Sequence, residues 1–327
     1  MKKIISIILV LTMLFAVCVS FSGCDDNTEN LKDEEKSEGS TETEKVEEEA
    51  KPTEGLEYSR LPDDTYGVAA GKAIFMEEVV VPATYRGKAV TQIMSNAFKD
   101  DVDLKSITLP DSLKSIAGNA FYGCTSLESI TIPDSVMSIG KSAFKGCTKL
   151  ASVTIGDSVK SIGDEAFYGC TRLWRVTLPD SVKSIGDYAF CECKTLMSIT
   201  IPDGIKNIGN YAFSNCKRLT SVTIPDSVTS ICNGAFIGCT ALTSIAIPDS
   251  VTSIGDDAFD GCTSLTSITI PNSVTRIGDY VFEYCTRLKS ITFDGTLEQW
   301  DAISKDGWYY ESNVTKVVCD DGEVAPS

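Results

Sequence analysis

From Ala97 to Phe282 the apolar positions of this chain return at one fixed interval. Leu127, Ile130 and Ile132 stand in an L-x-x-I-x-I order, Val136 and Ile139 follow, Ala143-Phe144 closes the unit, and the order begins again. Nine phenylalanines mark the period: Phe98, Phe121, Phe144, Phe167, Phe190, Phe213, Phe236, Phe259 and Phe282, each 23 residues after the last. A fixed interval of this length over most of a chain predicts a stacked array. Within one unit Ile130 and Ile132 alternate with Ser129 and Thr131, the period of a strand with one buried face. Pro133-Asp134-Ser135 ends that strand with turn chemistry, since Pro lacks a donor and Asp and Ser bond nearby backbone. Val136 and Ile139 predict a second short extended stretch, and Gly140 a tight turn before the next Ala-Phe. One such coil cannot bury its own apolar edge; stacked coils share a column of Leu, Ile, Val and Phe.

Eight cysteines keep the same register three positions after Phe: Cys124, Cys147, Cys170, Cys193, Cys216, Cys239, Cys262 and Cys285. Stacked rungs at about 4.8 Å bring such residues within reach of a disulfide. One identical inward orientation at every rung suits a ladder of packed free thiols, because buried Cys acts as a small hydrophobe. Asp101 takes the Cys place in the first coil, which predicts a more exposed terminal rung. Cys191, Cys232 and Cys319 fall off the ladder, and no paired C-x-x-C spacing marks a zinc site.

Cys262 to Gly278 reads C-T-S-L-T-S-I-T-I-P-N-S-V-T-R-I-G. This unit resembles the repeat of the BspA-like leucine-rich repeat proteins of bacterial surfaces, and the resemblance runs from about Gly55 to Gly322. It implies a right-handed leucine-rich repeat solenoid, α/β or mostly β, with a parallel sheet on one face and short extended segments and tight helical turns on the others. It also implies a surface binding protein, adhesin-like, whose partner is an extracellular protein or glycan of a host or a neighbouring microbe.

The ends of the chain predict where it works. Met1-Lys2-Lys3 before the apolar run from Ile4 to Val19 reads as a secretory signal peptide over residues 1–23. Phe21-Ser22-Gly23-Cys24 looks like a lipobox, with Cys24 as the lipidated first residue of the mature protein; ordinary cleavage that leaves Cys24 unmodified and the protein secreted is the other reading. Residues 24–54 form an acidic stalk: Asp25 to Glu54 holds thirteen Asp and Glu against four Lys, too little apolar surface for a core. Residues 55–97 make an N-terminal capping coil, 98–293 the array, and 294–327 a C-terminal cap and tail in which Trp300 plugs the last coil. The protein is thus expected on the extracellular face of a bacterial envelope, a monomer held to the membrane through its lipid anchor only.

Charge and composition narrow the chemistry. The net charge of -17 disfavours nucleic acid as a partner. The chain has no His, which removes Ser-His-Asp and Cys-His catalysis. No enzyme activity and no cofactor is expected; a hydrolase built on paired carboxylates is the alternative the residues least support. Asp111, Asp134, Asp157, Asp180, Asp203, Asp226 and Asp249 recur at the corner. They read as turn caps, although stacked carboxylates could gather calcium; no metal site is assigned.

Candidate binding residues are those that depart from the period. The outward strand positions are mostly Ser and Thr, a polar carpet that β-propensity and solubility explain and that could also meet a repeating polymer. The fourth strand breaks it with Leu173-Trp174-Arg175-Val176, and the next unit offers Met197. Trp and Arg dominate binding hot spots, so Trp174, Arg175 and Met197 are the candidate contact, with Tyr168 one turn away; drift among near-identical repeats and a passive spacer of the envelope are the competing readings.

Overall fold

The computed structural model describes residues 51–326; the expected signal segment, Cys24 and nearly all of the acidic stalk lie outside them. The described chain winds into a parallel β-solenoid of about 11 turns with almost no helix. Each coil carries two strands. The first, exemplified by Ser129–Ile132 and Ser152–Ile155, pairs in parallel with its counterpart in the next coil, Ser129 opposite Ser152 and Ile132 opposite Ile155. The second is a two-residue strand after the corner, Ser138–Ile139 in one coil and Ser161–Ile162 in the next, also parallel. The second extended stretch is therefore a ladder in its own right. It runs unbroken from Lys88–Ile93 to Ser184–Ile185 and again from Asn207–Ile208 to Arg276–Ile277.

The interior follows from the period. All nine phenylalanines of the array are buried, and successive rings stack at 5.1 to 5.9 Å between centroids with planes within 10° of parallel. Each buried ring contributes on the order of 2–3 kcal/mol by leaving water. Offset stacking adds about 0.5–1.5 kcal/mol for a pair.

The eight ladder cysteines are free and buried. They are more than small hydrophobes. Each thiol donates to the carbonyl of the Phe 26 residues earlier, from Cys124 Sγ to Phe98 O at 3.0 Å to Cys285 Sγ to Phe259 O at 3.1 Å. The column is thus a set of weak donors directed at buried backbone acceptors.

At the corner the structure corrects the division of labour expected between Asp and Ser. The hydroxyl of Ser135 reaches back to Leu113 O at 2.6 Å, and Ser112, Ser181, Ser227, Ser250 and Ser273 make the same bond to the carbonyl 22 residues earlier. Among the corner aspartates, Asp134 alone has a side-chain bond, accepting from the Asp157 N–H. Ser, with a short arm and a donor, fits the gap between coils; the carboxylate, which only accepts, stays in water.

The turn before each Phe needs a left-handed residue, such as Asn119 at φ 55° or Ser142 at φ 54°. That conformation aims the residue's N–H at the next coil: Asn119 donates to Lys141 O at 2.9 Å and Ser142 to Asp164 O at 2.7 Å. Gly163 serves a different need. A Cβ there would lie 2.6 Å from Lys141 N and 2.7 Å from Gly140 C, so the residue is Gly because the preceding coil's backbone passes over it.

Both ends are covered. At the front, Glu57–Arg60 pairs antiparallel with Tyr66–Ala69, which joins the second ladder through Lys88–Ile93. Thr53 also joins this end, exchanging hydrogen bonds with Val80. Asp101 is not the exposed residue expected at the first rung: it is 1% accessible. Its Oδ1 accepts from the N–H groups of Asp103 and Leu104, so it caps its turn from inside, and burial raises its pKa. At the back, the helix Leu297–Asp301 starts with a capping box formed by Thr296 and Gln299. It delivers Trp300 against Phe293, while Trp308 meets Phe282 edge-on at 6.1 Å and packs against Trp300. The plug is two tryptophans deep. A hairpin of Lys316–Cys319 and Gly322–Val324 then closes the first sheet.

Two outcomes follow from this packing. Gly163→Ala should destabilise by about 3 kcal/mol through overpacking against backbone, and Gly146→Ala, whose added Cβ has 3.9 Å of room but whose φ is 75°, by about 1 kcal/mol; urea unfolding of the two variants compares them. Native alkylation at pH 8 followed by mass spectrometry should mark Cys232, the half-exposed member of the eleven described cysteines, and reach the other ten only after unfolding. Burial raises the thiol pKa at Cys147, Cys170, Cys193, Cys216, Cys239 and Cys262, and pushes Cys285 up to about 12.

Candidate functional site

The first-face sheet presents three outward columns, and one of them changes character in the middle of the array. The residue just before each strand is Glu128, Ala151, Trp174, Met197 and Thr220 in successive coils. These are true neighbours: the Trp174 N–H donates to Ala151 O and the Met197 N–H to Trp174 O, both at 3.3 Å, and the Thr220 N–H to Met197 O at 2.9 Å. Trp174 is 48% and Met197 44% accessible. Large apolar side chains on adjacent rungs of a sheet face make a small hydrophobic platform, where the other coils show small or polar residues.

Arg175 stands beside Trp174 in the column otherwise filled by Ser, opposite Ser152 in register. Its strand is cut to Arg175–Val176, two residues instead of the four of the two preceding coils. Where pairing stops, a shallow groove of about 410 Å³ opens, lined by Ser152, Thr154, Trp174, Arg175 and Thr177. An aromatic wall, a guanidinium and hydroxyls along one groove can receive an apolar side chain with an acceptor next to it.

Tyr168 belongs to a different group. It lies in the turn after Phe167, half-buried, with Lys145 Nζ over its ring at 4.6 Å, and it is not among the residues that line the groove. Lys145 is in turn paired with Glu165 at 2.6 Å, and this hydrogen bond, aided by Ser142, lowers the Glu165 pKa. Trp174, Arg175 and Met197 therefore come together, and Tyr168 joins the Lys145 cluster.

One cluster escapes the sequence reading. Carboxylate oxygens of Asp257, Asp260 and Glu283 lie within 4.8 Å of one another. Burial, then the charges of Glu283 and Asp257, pushes Asp260 up to about 6, and its Oδ1 is buried without a hydrogen-bond partner. Three carboxylates so placed have the chemistry to share a hard cation. The signal is present in the period, since Asp260 and Glu283 occupy the same place in successive units and Asp257 shares their turn. The corner aspartates, which are more numerous and dominate the pattern, lie apart from this group.

Among the described residues no helix is long and apolar enough to cross a membrane. No curated protein matches the chain. Among solved structures, a leucine-rich repeat protein from Bacteroides ovatus is similar at 31% identity, over 82% of this chain and 76% of that one, with a TM-score of 0.68. The leucine rich repeat protein of T. pallidum is similar at 28% identity over 73% of this chain and 90% of that one, with a TM-score of 0.44. A leucine rich cell surface protein from Faecalibacterium prausnitzii is similar at 26% identity over 78% and 97%, with a TM-score of 0.35. The model of the BspA type leucine rich repeat region matches six copies over residues 91–220 and 206–321. With that match spanning nearly the whole solenoid, and with each repeat seen as one coil, the chain belongs to the BspA type leucine rich repeat family.

Proposed function

We propose that this chain is an exported, lipid-anchored surface protein whose solenoid binds a protein or glycan of a host or neighbouring microbe, and that the contact centres on Trp174, Arg175 and Met197. The observation that carries the contact is the pair of exposed apolar side chains on adjacent rungs, with Trp174 beside a guanidinium and a groove, in a sheet face that is otherwise small or polar. Leaving about half of a Trp in water has no benefit for folding, whereas burying it against a partner does. A protein surface is the better match than a glycan, since Met197 adds apolar area without hydrogen-bonding capacity.

The placement of the protein in the envelope rests on its first residues. The basic and apolar start, the Ser22-Gly23-Cys24 sequence and the acidic stretch to Glu54 support a signal segment, an acyl anchor on Cys24 and an extended stalk that holds the array away from the membrane. Like charges along that stretch favour an extended chain. Catalysis is no part of this reading. The chain lacks His, its ladder Cys are buried donors to backbone carbonyls, and most of its corner Ser are engaged in bonds between coils.

With a partner captured from host or microbial surface material on the full chain, changing Trp174→Thr and Arg175→Ser together should weaken binding roughly 30-fold, the effect of losing about 2 kcal/mol at a hot spot. Binding within twofold of the parent would place the contact elsewhere. Metabolic labelling with a palmitate analogue should mark the parent and leave a Cys24→Ala variant unlabelled; equal labelling of both would exclude the anchor.

A further inference from the structure

Corresponding backbone bonds tie one coil to the next along the second ladder. The N–H of Lys160 bonds Met137 O, that of Lys183 bonds Lys160 O, and those of Thr229 and Thr252 continue the series; likewise Gly163, Gly186, Cys232 and Gly255 bond the Ile carbonyl of the preceding coil. With each coil counted from its Phe, both series lapse between the coil of Phe167, which carries Ser184–Ile185, and the coil of Phe190, which carries Asn207–Ile208. Lys206 N–H and Gly209 N–H have no such bond to Lys183 O and Ile185 O. The strand Ser184–Ile185 is not paired with Asn207–Ile208, and on the first face Arg175–Val176 is not paired with Ser198–Thr200. The ties that remain there include the Met197 N–H to Trp174 O at 3.3 Å, Lys183 Nζ to Asp203 O at 3.1 Å and the Asn210 N–H to Asp187 Oδ1 at 2.8 Å. The first-face sheet lapses in two other places, but there the second ladder runs through; among the described residues, this is the one junction between array coils where both stop.

The sequence differs at this junction's corner. In six other coils a corner Ser hydroxyl holds the carbonyl 22 residues earlier. Ser158 makes no such bond and its ladder still runs through, whereas here the corner residue is Gly204, at φ 99°, the one corner of the array with no hydroxyl at all. Val182 O has lost its hydroxyl donor. A groove of about 300 Å³, bordered by Lys183, Ile185, Lys206 and Gly209, lies along the lapse.

The opposite side of the same junction is reinforced. Tyr188 and Tyr211 stack across it at 4.8 Å with planes 11° apart, the Tyr188 N–H bonds Asn210 O at 2.8 Å, and Cys193 Sγ keeps its bond to Phe167 O at 3.3 Å. The Phe column also changes pitch nearby: centroids are 5.1 to 5.3 Å apart from Phe98 to Phe190 and 5.6 to 5.9 Å from Phe190 to Phe282.

We propose that the array is two stacked segments joined at a built-in seam between the Phe167 and Phe190 coils, which opens on its sheet side about the Tyr188–Tyr211 and Phe side as hinge. Local opening follows the density of ties, and a hinge needs one side loose and the other held. The seam also divides the contact site, since Trp174 stands on one side and Met197 on the other. A partner that touches both would select the closed form. That use rests on the reading of Trp174 and Met197 as a contact; the seam itself does not, and the test addresses the free protein.

Native hydrogen exchange on the full chain, read by residue, is the measurement. The amides of Lys206 and Gly209 should exchange at least tenfold faster than those of Lys183, Gly186, Thr252 and Gly255. Gly204→Ser should slow them about fivefold, the factor that a hydrogen bond of about 1 kcal/mol carries; a Cβ at 204 meets the outer half of the flexible Lys183 side chain, Nζ at 2.8 Å and Cδ at 3.1 Å. Because φ 99° resists Ser, the converse variant guards the result: Ser250→Gly should speed exchange at Thr252 and Gly255 by a similar factor. Equal protection on both sides of the Phe190 coil would overturn the seam, and an unchanged corner in Ser250→Gly would overturn Gly204 as its cause.

Discussion

The structure depends on one distance, the separation of about 5 Å between a residue and its equivalent one unit later. At that spacing flat rings stack, so the inner column is Phe. A backbone atom of one coil lies where a Cβ of the next would be, so Gly163 has no side chain. A thiol reaches a carbonyl, so Cys124 and its successors satisfy acceptors that water cannot reach. The period in the sequence is the imprint of this constraint. Any residue that is right for one coil is right for its neighbours, because each coil presents the same surface to the next.

Much of this is legible in the residues, and the failures have physical reasons. Leu, Ile, Val and Phe lie inside where alternation puts them, and the Ser and Thr of the strands lie outside. The corner is harder. Pro-Asp-Ser reads as a turn in which Asp is the stronger capping residue, yet the tie that matters crosses between coils, and sequence patterns within one unit carry no information about that gap. Asp101 defeats the pattern for a similar reason: a charged residue at a rung position suggests exposure, but the two backbone N–H groups that hold it inside become visible only when the turn is built. Trp308 leaves no periodic trace at all, since it caps the array from outside the repeat.

Of the proposed contact, the departure at Trp174 and Arg175 is legible because repeats define what is ordinary. Its extent is not. Met197, legible as the next unit's departure, stacks beside Trp174, whereas Tyr168, in the same coil as Trp174, is drawn away by the turn into the company of Lys145 and Glu165. Nearness along a coil says little here; nearness modulo the period says almost everything. The same rule accounts for the acidic trio, in which Asp260 and Glu283 stand one whole period apart.

Bonded partners on neighbouring coils keep fixed offsets along the chain, and this limits how such a chain can change in length. Removal or duplication of one whole unit leaves the repeated backbone donors facing acceptors of the same kind, since the coil beyond the cut offers the carbonyls that the lost one did. A gain or loss of any fraction of a unit would misalign rings, thiols and hydroxyls together. Within the array, a recombination between near-identical repeats of the gene, which adds or removes whole turns, therefore keeps this register, whereas a fractional change does not.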